Sequence, residues 1–233
     1  FAPIFVKWSL LSSSAIAFYR MLLTIPFLFG LNYLLNGRFK FHVKNKRTIV
    51  YAAFASLAFT TDLTLWHYSM SITSVSNATI IVNSAPIFVA ILSFIFFKEK
   101  LSKGFVISFL ITYLGIVGLI YYSNNYINGK VLGDILCMIA AFFYAVYLLI
   151  IARLGKENSL NIIFYTTLFC CLFSIIPMLV EGGSIFPSSK FEWLNLFLLA
   201  VLCQMGGQYL ITHAIGTVSY THLRANETEA DLV

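Results

Sequence analysis

Charged side chains are scarce in this chain. Of its 233 residues, 15 are Lys or Arg and 9 are Asp or Glu, so charged residues make up only 10% of the sequence. A typical soluble domain carries about 25%. No polar stretch as long as the smallest domains, about 50 residues, interrupts the chain. The shortage of charge excludes a water-soluble protein, and the sequence predicts a single domain in a membrane.

Short motifs that support catalysis are also missing. The sequence has no nucleotide-binding loop, no HExxH or GxSxG and no HxxxxD. Its four cysteines show neither CxxC nor Cys/His spacing, which argues against a disulfide framework and a zinc site. We therefore predict no catalytic residues, no metal, no cofactor and no direct use of ATP.

Long apolar runs fill the remainder. A bilayer core of about 30 Å needs about 20 apolar residues in a helix. The sequence predicts an all-α polytopic membrane protein with eight such segments, the first of them short: Phe1–Val6, Ala15–Leu35, Thr48–Met70, Val75–Phe97, Gly104–Tyr122, Leu132–Ile151, Ile162–Val180 and Trp193–Ile215.

Basic residues concentrate in alternate loops. Loops 37–47, 98–103 and 152–157 carry ten Lys and Arg, whereas the loops between them carry three. Short basic loops stay on the cytoplasmic side of a membrane, so these three are predicted to be cytoplasmic. The net charge of +6 is thus a topology signal, and no nucleic-acid partner is expected.

The second half of the chain repeats features of the first at an offset of about 146 residues. Residues 16–19 align with 162–165, and residues 65–74 align with 210–219. A unit with an odd number of spans places its second copy upside down in the membrane. Inverted repeats of this kind are a recurring transporter architecture. We therefore predict inverted five-helix repeats, with eight of an expected ten membrane helices present.

This repeat defines the predicted domains. Residues 1–122 form the first repeat, with its first helix truncated, and residues 131–216 form the second repeat, without its last two helices. Residues 217–233 are polar and include Arg224, Glu227 and Asp231. Their sequence resembles a terminal string found on unrelated proteins, so we interpret this tail as an artefact; the alternative is a short cytoplasmic tail.

Several ordered motifs resemble one known family. Residues 62–102 combine an apolar helix, a Ser/Thr turn, a helix with an interior Pro86 and a glutamate, Glu99, in a basic loop. Gly133-Asp134 resembles the start of a second repeat. Together they resemble the EamA-type transporters of the drug/metabolite transporter superfamily. The resemblance implies ten helices that carry small metabolites across a bacterial inner membrane or an organelle membrane.

Two ionisable residues are predicted to lie well inside the membrane. Arg20 lies in the second segment and Asp62 in the third. Intramembrane charges usually face a cavity or a partner. Two arrangements remain open: the two side chains pair, or both line one polar cavity. Arg20 could instead extend its side chain to the headgroups.

Other polar residues follow helical spacing. Asp62 and Trp66 share one face of the third segment, Asn83 lies on a polar face of the fourth, and Gln204 and Gln208 share a face of the eighth. Such stripes indicate a central substrate pathway. The alternative is hydrogen bonding between neighbouring helices, and Trp66 could also belong to an interfacial aromatic belt.

Three prolines fall within the predicted spans: Pro26, Pro86 and Pro177. Proline frees a backbone carbonyl and bends a helix. In a transporter these bends are candidate hinges, and in any membrane protein they can be simple kinks.

The sequence thus favours a secondary transporter that moves a small metabolite or drug-like solute by alternating access. The expected partners are that solute, the lipid bilayer and protons that could bind Asp62; a monomer and an oligomer are both open. The predicted location is a bacterial inner (plasma) membrane. The alternatives are a non-transporting fragment or membrane scaffold and, less favoured, an intramembrane enzyme.

Overall fold

A computed structural model of the chain describes residues 2–37, 39–43, 45–98, 103–126, 131–155 and 157–216. The predicted tail 217–233, Glu99 and several basic loop residues lie outside the described residues. The helices in chain order are α1 Ala2–Trp8, α2 Ser13–Asn36, α3 Lys46–Ile72, α4 Val75–Val82, α5 Ala85–Phe97, α6 Lys103–Tyr126, α7 Val131–Arg153, α8 Ser159–Glu181 and α9 Lys190–Gly216.

The predicted fold class is confirmed. The described residues contain six helical spans that are long and apolar enough to cross a membrane, and a shorter apolar helix covers Val106–Tyr122. Each predicted segment corresponds to one described helix or, in the case of the fourth, to a pair of helices. The chain is an all-helical integral membrane protein.

The fourth segment was predicted to be one continuous helix, and the structure divides it into two. α4 ends at Val82 and α5 starts at Ala85, with Asn83 and Ser84 between them. Pro86 therefore lies in the first turn of α5 and not inside a helix, as the sequence had suggested. Proline is tolerated in a first turn because its missing N–H needs no partner there. The bend between α4 and α5 belongs to the Asn83–Ser84 turn.

One end of the bundle is held together by two carboxylates, the exposed Glu181 and the buried Glu192, and we call it the acidic end. Glu181, the last residue of α8, accepts hydrogen bonds from the backbone N–H groups of Ser13 and Ser14 at 3.0 and 2.7 Å. A carboxylate at a helix start satisfies free N–H groups and complements the helix dipole. Glu192, near the start of α9, accepts from the backbone N–H of Leu10 at 3.0 Å. The start of α2 and the end of α8 thus meet at this end.

The opposite end carries most of the described basic loop residues, and we call it the basic end. The ring of Phe41, between α2 and α3, stacks on Phe164 near the start of α8 at 3.9 Å. Thr48 Oγ1 donates to Glu157 at 3.3 Å. The loop between α2 and α3 and the loop between α7 and α8 therefore lie on the same side of the bundle, as the charge pattern predicts.

Helices related by the 146-residue offset run in opposite directions. α2 runs from the acidic to the basic end, whereas α8 runs from the basic to the acidic end. α3 starts at the basic end, whereas α9 starts at the acidic end. These directions agree with an inverted repeat.

The core is formed where α3 packs on α7 and α8, and where α2 packs on α8 and on the middle of α9. Its buried residues include many small side chains, such as Ala52, Ala55, Ala140 and Ala141, all fully buried. Small residues let helix backbones approach closely, which is how membrane helices gain packing energy. This arrangement brings α2, α3, α4, α7 and α9 around one cavity.

Candidate functional site

A cavity of about 380 Å³ opens among five helices and the first residues of α1. Small-molecule sites occupy about 300–1,000 Å³, so this one suits a small solute. Its polar residues come from α2, α3, α4, α7 and α9. The lining residues are Ala2, Pro3, Arg20, Asp62, Leu63, Trp66, Thr79, Val82, Asn83, Tyr144, Cys203 and Gln208.

The cavity lies inside the predicted membrane core. Arg20 is seven residues from the start of α2 at Ser13, which corresponds to a depth of about 10 Å from the acidic end. Five of the predicted pathway residues line it, namely Arg20, Asp62, Trp66, Asn83 and Gln208.

Gln204 is the predicted pathway residue that does not line the cavity. It is buried behind the wall, where its Oε1 accepts a hydrogen bond from Arg20 Nε at 2.9 Å. Thr24, one turn further along α2, donates its hydroxyl to the carbonyls of Arg20 and Ala200 at 2.7 and 3.2 Å. Two polar contacts thus join α2 to the same part of α9.

That part of α9 is not an ordinary α-helix. Leu199–Gly207 forms a π-helix, with α-helical turns on either side. π-helical turns are rare, and they occur often at functional sites because they shift the face on which side chains point. Gln204 lies within this segment, and Gln208 follows directly after it. The π-helix could not be predicted from the sequence, since Leu, Ala and Val suit either helix type.

Asp62 and Arg20 do not form the predicted ion pair. Within the described residues Asp62 Oδ1 has no hydrogen-bond partner, and neither has Arg20 Nη1. Both residues are nevertheless buried, with 4% and 5% of their surface exposed. The second predicted arrangement, in which both line one cavity, is the one found.

Trp66 lies one turn after Asp62 on α3 and is 8% exposed, so it does not belong to an exposed aromatic belt. Its indole Nε1 has no hydrogen-bond partner among the described residues. An indole N–H is only a donor. Among the described residues, the side chains that line the cavity therefore include two donors without partners, on Arg20 and Trp66, and one acceptor without a partner, on Asp62.

Aromatic rings of α3 and α7 lie next to the cavity. Tyr144 lines it, and Tyr147 stacks on Phe59 at 4.6 Å and on Tyr144 at 5.9 Å. The Tyr147 hydroxyl donates to Gln208 Oε1 at 3.4 Å. Tyr147 and Phe59 are buried, with 2% of the surface of each exposed. Together these three rings form a packed layer, which we call the aromatic layer.

A second cavity of about 360 Å³ lies at the basic end. Tyr209 and His213 of α9 line it together with Asn36, Glu157 and Ser159. α9 therefore borders both cavities, with Gln208 at the first and Tyr209 at the second.

The polar faces predicted on α3 and α4 are only partly turned to the first cavity. Ser69 of α3 contacts Cys137 at 2.9 Å, and Thr73, directly after α3, donates to Asp134 at 2.7 Å, so both face α7. Thr79 of α4 and Asn83, directly after α4, line the cavity. Pro26 and Pro177 lie inside α2 and α8, outside the cavity lining.

A buried polar cluster at the acidic end was not predicted. Asp134, 1% exposed, accepts hydrogen bonds from Thr73 and from Asn77 Nδ2, the latter at 3.3 Å. Its neighbour Gly133 has no room for a side chain, because a Cβ there would lie 2.8 Å from Thr73 Cβ. The Gly-Asp pair noted in the sequence therefore holds α7 against the turn between α3 and α4.

The sequence matches the EamA-like transporter family over residues 1–121 and 131–223, which is most of the chain. The chain belongs to the EamA-like transporter family. The resemblance noted from Pro86, Gly133 and Asp134 is confirmed as a family assignment.

Two mammalian relatives share part of this sequence. The chain is 27% identical over 162 residues to solute carrier family 35 member G1 of Mus musculus, and 28% identical over 169 residues to its counterpart in Homo sapiens. These matches cover 65% and 66% of this chain, and 44% and 45% of the relatives. The matched region spans a little under half the length of these relatives.

A solved crystal structure shares the fold. It superposes with a TM-score of 0.64 at 14% identity, covering 88% of this chain and 69% of the other. A likeness at this level of identity concerns the fold alone. The overall helix arrangement is therefore one that occurs in a known structure.

Proposed function

We propose that this protein is a secondary transporter that moves a small solute across the membrane by alternating access. The observation that carries the proposal is the cavity, where intramembrane Arg20 and Asp62 face the same space without pairing with each other. Such charges are costly in a membrane unless a partner or a pathway uses them. A protein that only scaffolds others has no need of them.

Two cavities on one helix support alternating access. The first is lined by Gln208 and the second by Tyr209 and His213, and the aromatic layer packs beside the first. We propose that this layer separates the two cavities in this state. Movement of α9 relative to α3 and α7 would then open a path for the solute from the first cavity to the second, at the basic end. Pro26 in α2 and Pro177 in α8, and the Asn83–Ser84 turn before Pro86, are the proposed hinges.

An inverted repeat explains why a transporter can have two equivalent states, one open to each side of the membrane. In inverted-repeat transporters, one repeat rocks against the other around a fixed site near the middle of the membrane. We propose residues 1–122 and 131–216 as these two repeats, and the opposite directions of α2 and α8 support this division.

Protons are the proposed coupling ion. Asp62 lines the cavity and has an acceptor oxygen without a hydrogen-bond partner in the described part of the chain, so it can bind either a proton or a cationic group of the solute. Because the two compete for one carboxylate, the expected coupling is exchange of protons for solute.

We also propose an orientation. The basic end carries Lys40, Lys46, Arg47 and Arg153 and is placed on the cytoplasmic side. The resemblance points to a bacterial inner membrane, whereas the relatives matched above are mammalian. The orientation rests on the charges alone and holds for a plasma membrane of either source.

The natural Cys203 provides a test of alternating access that needs no knowledge of the solute. Cys203 lines the cavity, whereas Cys137, Cys170 and Cys171 are buried. Right-side-out and inside-out vesicles containing the protein are treated with a membrane-impermeant maleimide, and labelled protein is measured by mass. We expect Cys203 to react from both sides.

The matched control is Cys203→Ala, which should abolish labelling in both kinds of vesicle. Labelling of Cys203 from one side only, in vesicles of verified orientation, would contradict alternating access. That result would favour the alternative of a non-transporting membrane scaffold.

A further inference from the structure

We propose that an anionic phospholipid binds to the outer surface of the bundle, with one acyl chain in an apolar groove between α3, α5 and α7 and its phosphate at Arg153. The groove has a volume of about 310 Å³, and we call it the outer groove. Its lining residues differ from those of the two cavities described above. The site goes beyond the proposed function, because its ligand is a lipid of the membrane and not the solute.

One face of α7 forms the length of the outer groove. The residues of this face are Phe142, Val146, Leu149, Ile150 and Arg153. Phe142 and Arg153 are 11 positions apart in the helix, which corresponds to about 16 Å along its axis. The hydrocarbon of one leaflet is about 15 Å thick, half of a bilayer core of about 30 Å. The outer groove is therefore as long as one leaflet is thick, which is the length available to an acyl chain.

α3 and α5 form the walls of the outer groove. Tyr51 of α3 and Phe96 of α5 line it and are 42% and 69% exposed, so the groove is open to the outside of the bundle. At its inner end the ring of Phe142 packs edge-on against Phe88 of α5, with 6.1 Å between the ring centroids. The side chains that line the groove are apolar apart from the hydroxyl of Tyr51 and the guanidinium of Arg153. An acyl chain suits such a lining because it has no polar group of its own to satisfy.

A cation lies where each of these three helices reaches the basic end. Arg47 is in the first turn of α3, Lys98 follows directly after α5, and Arg153 is the last residue of α7. All three are exposed. Glu157, at the same end, accepts a hydrogen bond from Thr48 and does not line the outer groove. Clusters of basic residues between membrane helices bind anionic lipid headgroups, and a guanidinium can bind two phosphate oxygens at once.

The size of the outer groove favours a single flexible chain over a helix. A helix with its side chains is about 10–12 Å across, so a 16 Å length of it occupies about 1,300 Å³ or more. The groove has a volume of about 310 Å³. A zwitterionic phospholipid has a suitable acyl chain, but the cation of its headgroup offsets the attraction of its phosphate to the three basic residues. A phospholipid with net negative charge matches both the groove and the cations above it.

The experiment measures lipid binding to the full chain by native mass spectrometry. The protein is purified and delipidated in detergent, and then titrated with dioleoyl phosphatidylglycerol or dioleoyl phosphatidylcholine. The two lipids have the same acyl chains, so a difference between them reports on the headgroup. We expect the first phosphatidylglycerol to bind at least about fivefold more tightly than phosphatidylcholine, since one cation near an anionic lipid surface contributes a factor of this size.

A charge variant tests the headgroup site. Arg153→Gln removes the guanidinium that lines the outer groove, and it should lower the affinity for phosphatidylglycerol about fivefold while leaving that for phosphatidylcholine unchanged. The matched control is Lys190→Gln, which removes an exposed cation at the acidic end. This control should keep the wild-type preference.

A filling variant tests the acyl-chain site. Leu149→Trp places a large ring in the outer groove and should abolish this binding of both lipids. Leu172→Trp adds the same ring at an exposed position of α8, outside the groove lining, and should bind both lipids like the wild type. A lowered Tm without lipid would reveal a folding defect in Leu149→Trp. Phe96→Ala, which removes an exposed ring from the wall, would then serve in its place and should weaken the binding of both lipids.

Equal affinity of the wild-type protein for the two lipids would overturn the proposal. So would a full preference for phosphatidylglycerol in Arg153→Gln, or undiminished binding in both Leu149→Trp and Phe96→Ala. Failure of both lipids to bind would overturn it as well, and a dimeric mass in that case would indicate that a second copy of the chain covers the groove. These outcomes are independent of transport, because a non-transporting scaffold could bind the same lipid.

Discussion

The buried side chains of Arg20 and Gln204 are joined by a hydrogen bond of 2.9 Å between α2 and the π-helical part of α9. This bond links the positive charge of the cavity to the helix that borders both cavities. A solute that binds Arg20 would therefore act directly on α9. Gln204 positions Arg20 and does not line the cavity itself.

Replacing Gln204 tests this relationship. Gln204→Leu removes the acceptor of Arg20 Nε and leaves a buried charged donor without a partner, so we expect a loss of about 1–3 kcal/mol in stability. Gln208→Leu is the matched control, because the hydrogen bond from the neutral Tyr147 hydroxyl to Gln208 Oε1 is longer, at 3.4 Å, and involves no charged donor. Thermal unfolding in detergent should show the larger decrease in Tm for Gln204→Leu. Equal decreases would show that the Arg20 bond has no special role.

Close packing at the acidic end gives a second prediction. In Gly133→Ala the new Cβ would lie 2.8 Å from Thr73 Cβ, so α7 must shift away from the turn after α3. Overpacking of this kind costs about 1–3 kcal/mol. Gly118→Ala in α6 is the control, because no described residue outside its own helical turn comes within 4 Å of the added Cβ. If Gly133→Ala were as stable as Gly118→Ala, the close contact would not exist in the protein.

The orientation can be tested with one cysteine at each end. Ser184 and His42 are exposed, Ser184 at the acidic end and His42 at the basic end. In a Cys203→Ala background, Ser184→Cys should react with an impermeant maleimide on intact cells, and His42→Cys only after permeabilisation. The reverse pattern would place the basic end outside the cell.

Proton coupling is a prediction about Asp62. If a proton and the solute compete for this carboxylate, uptake by the wild-type protein should depend on the proton gradient. Asp62→Asn should remove that dependence, because an amide cannot take up the proton. Asp134→Asn, outside the cavity lining, should retain it. A gradient-dependent uptake that persists in Asp62→Asn would exclude Asp62 as the coupling site.

The sequence predicted the positions of the spans well because hydropathy measures length and composition directly. It also predicted that Arg20 and Asp62 face inward, since charges at that depth have few other stable positions. It missed the break at Asn83–Ser84, because apolar residues on both sides give the same hydropathy whether or not the helix is interrupted. For the same reason, the sequence placed Pro86 in the interior of a helix, whereas Pro86 lies in the first turn of α5.

Contacts between distant parts of the chain were harder to predict. Gln204 accepts from Arg20, 184 positions away, and Asp134 contacts Thr73, 61 positions away. No local pattern encodes such a pairing, which depends on how the helices are rotated. Helical spacing assigned both Gln204 and Gln208 to the predicted pathway, but it could not show that Gln208 lines the cavity whereas Gln204 lies behind its wall.

Transport itself is measured by counterflow in proteoliposomes. Purified protein is first screened with a panel of small metabolites for a solute that raises its Tm. Vesicles loaded with that solute, unlabelled, are then diluted into a trace of the same compound carrying a label. We expect transient accumulation of label by the wild-type protein and none by Arg20→Gln, because Arg20 lines the cavity. If the wild-type protein binds the solute in detergent and yet accumulates no more label than protein-free vesicles, it is not a transporter of that solute.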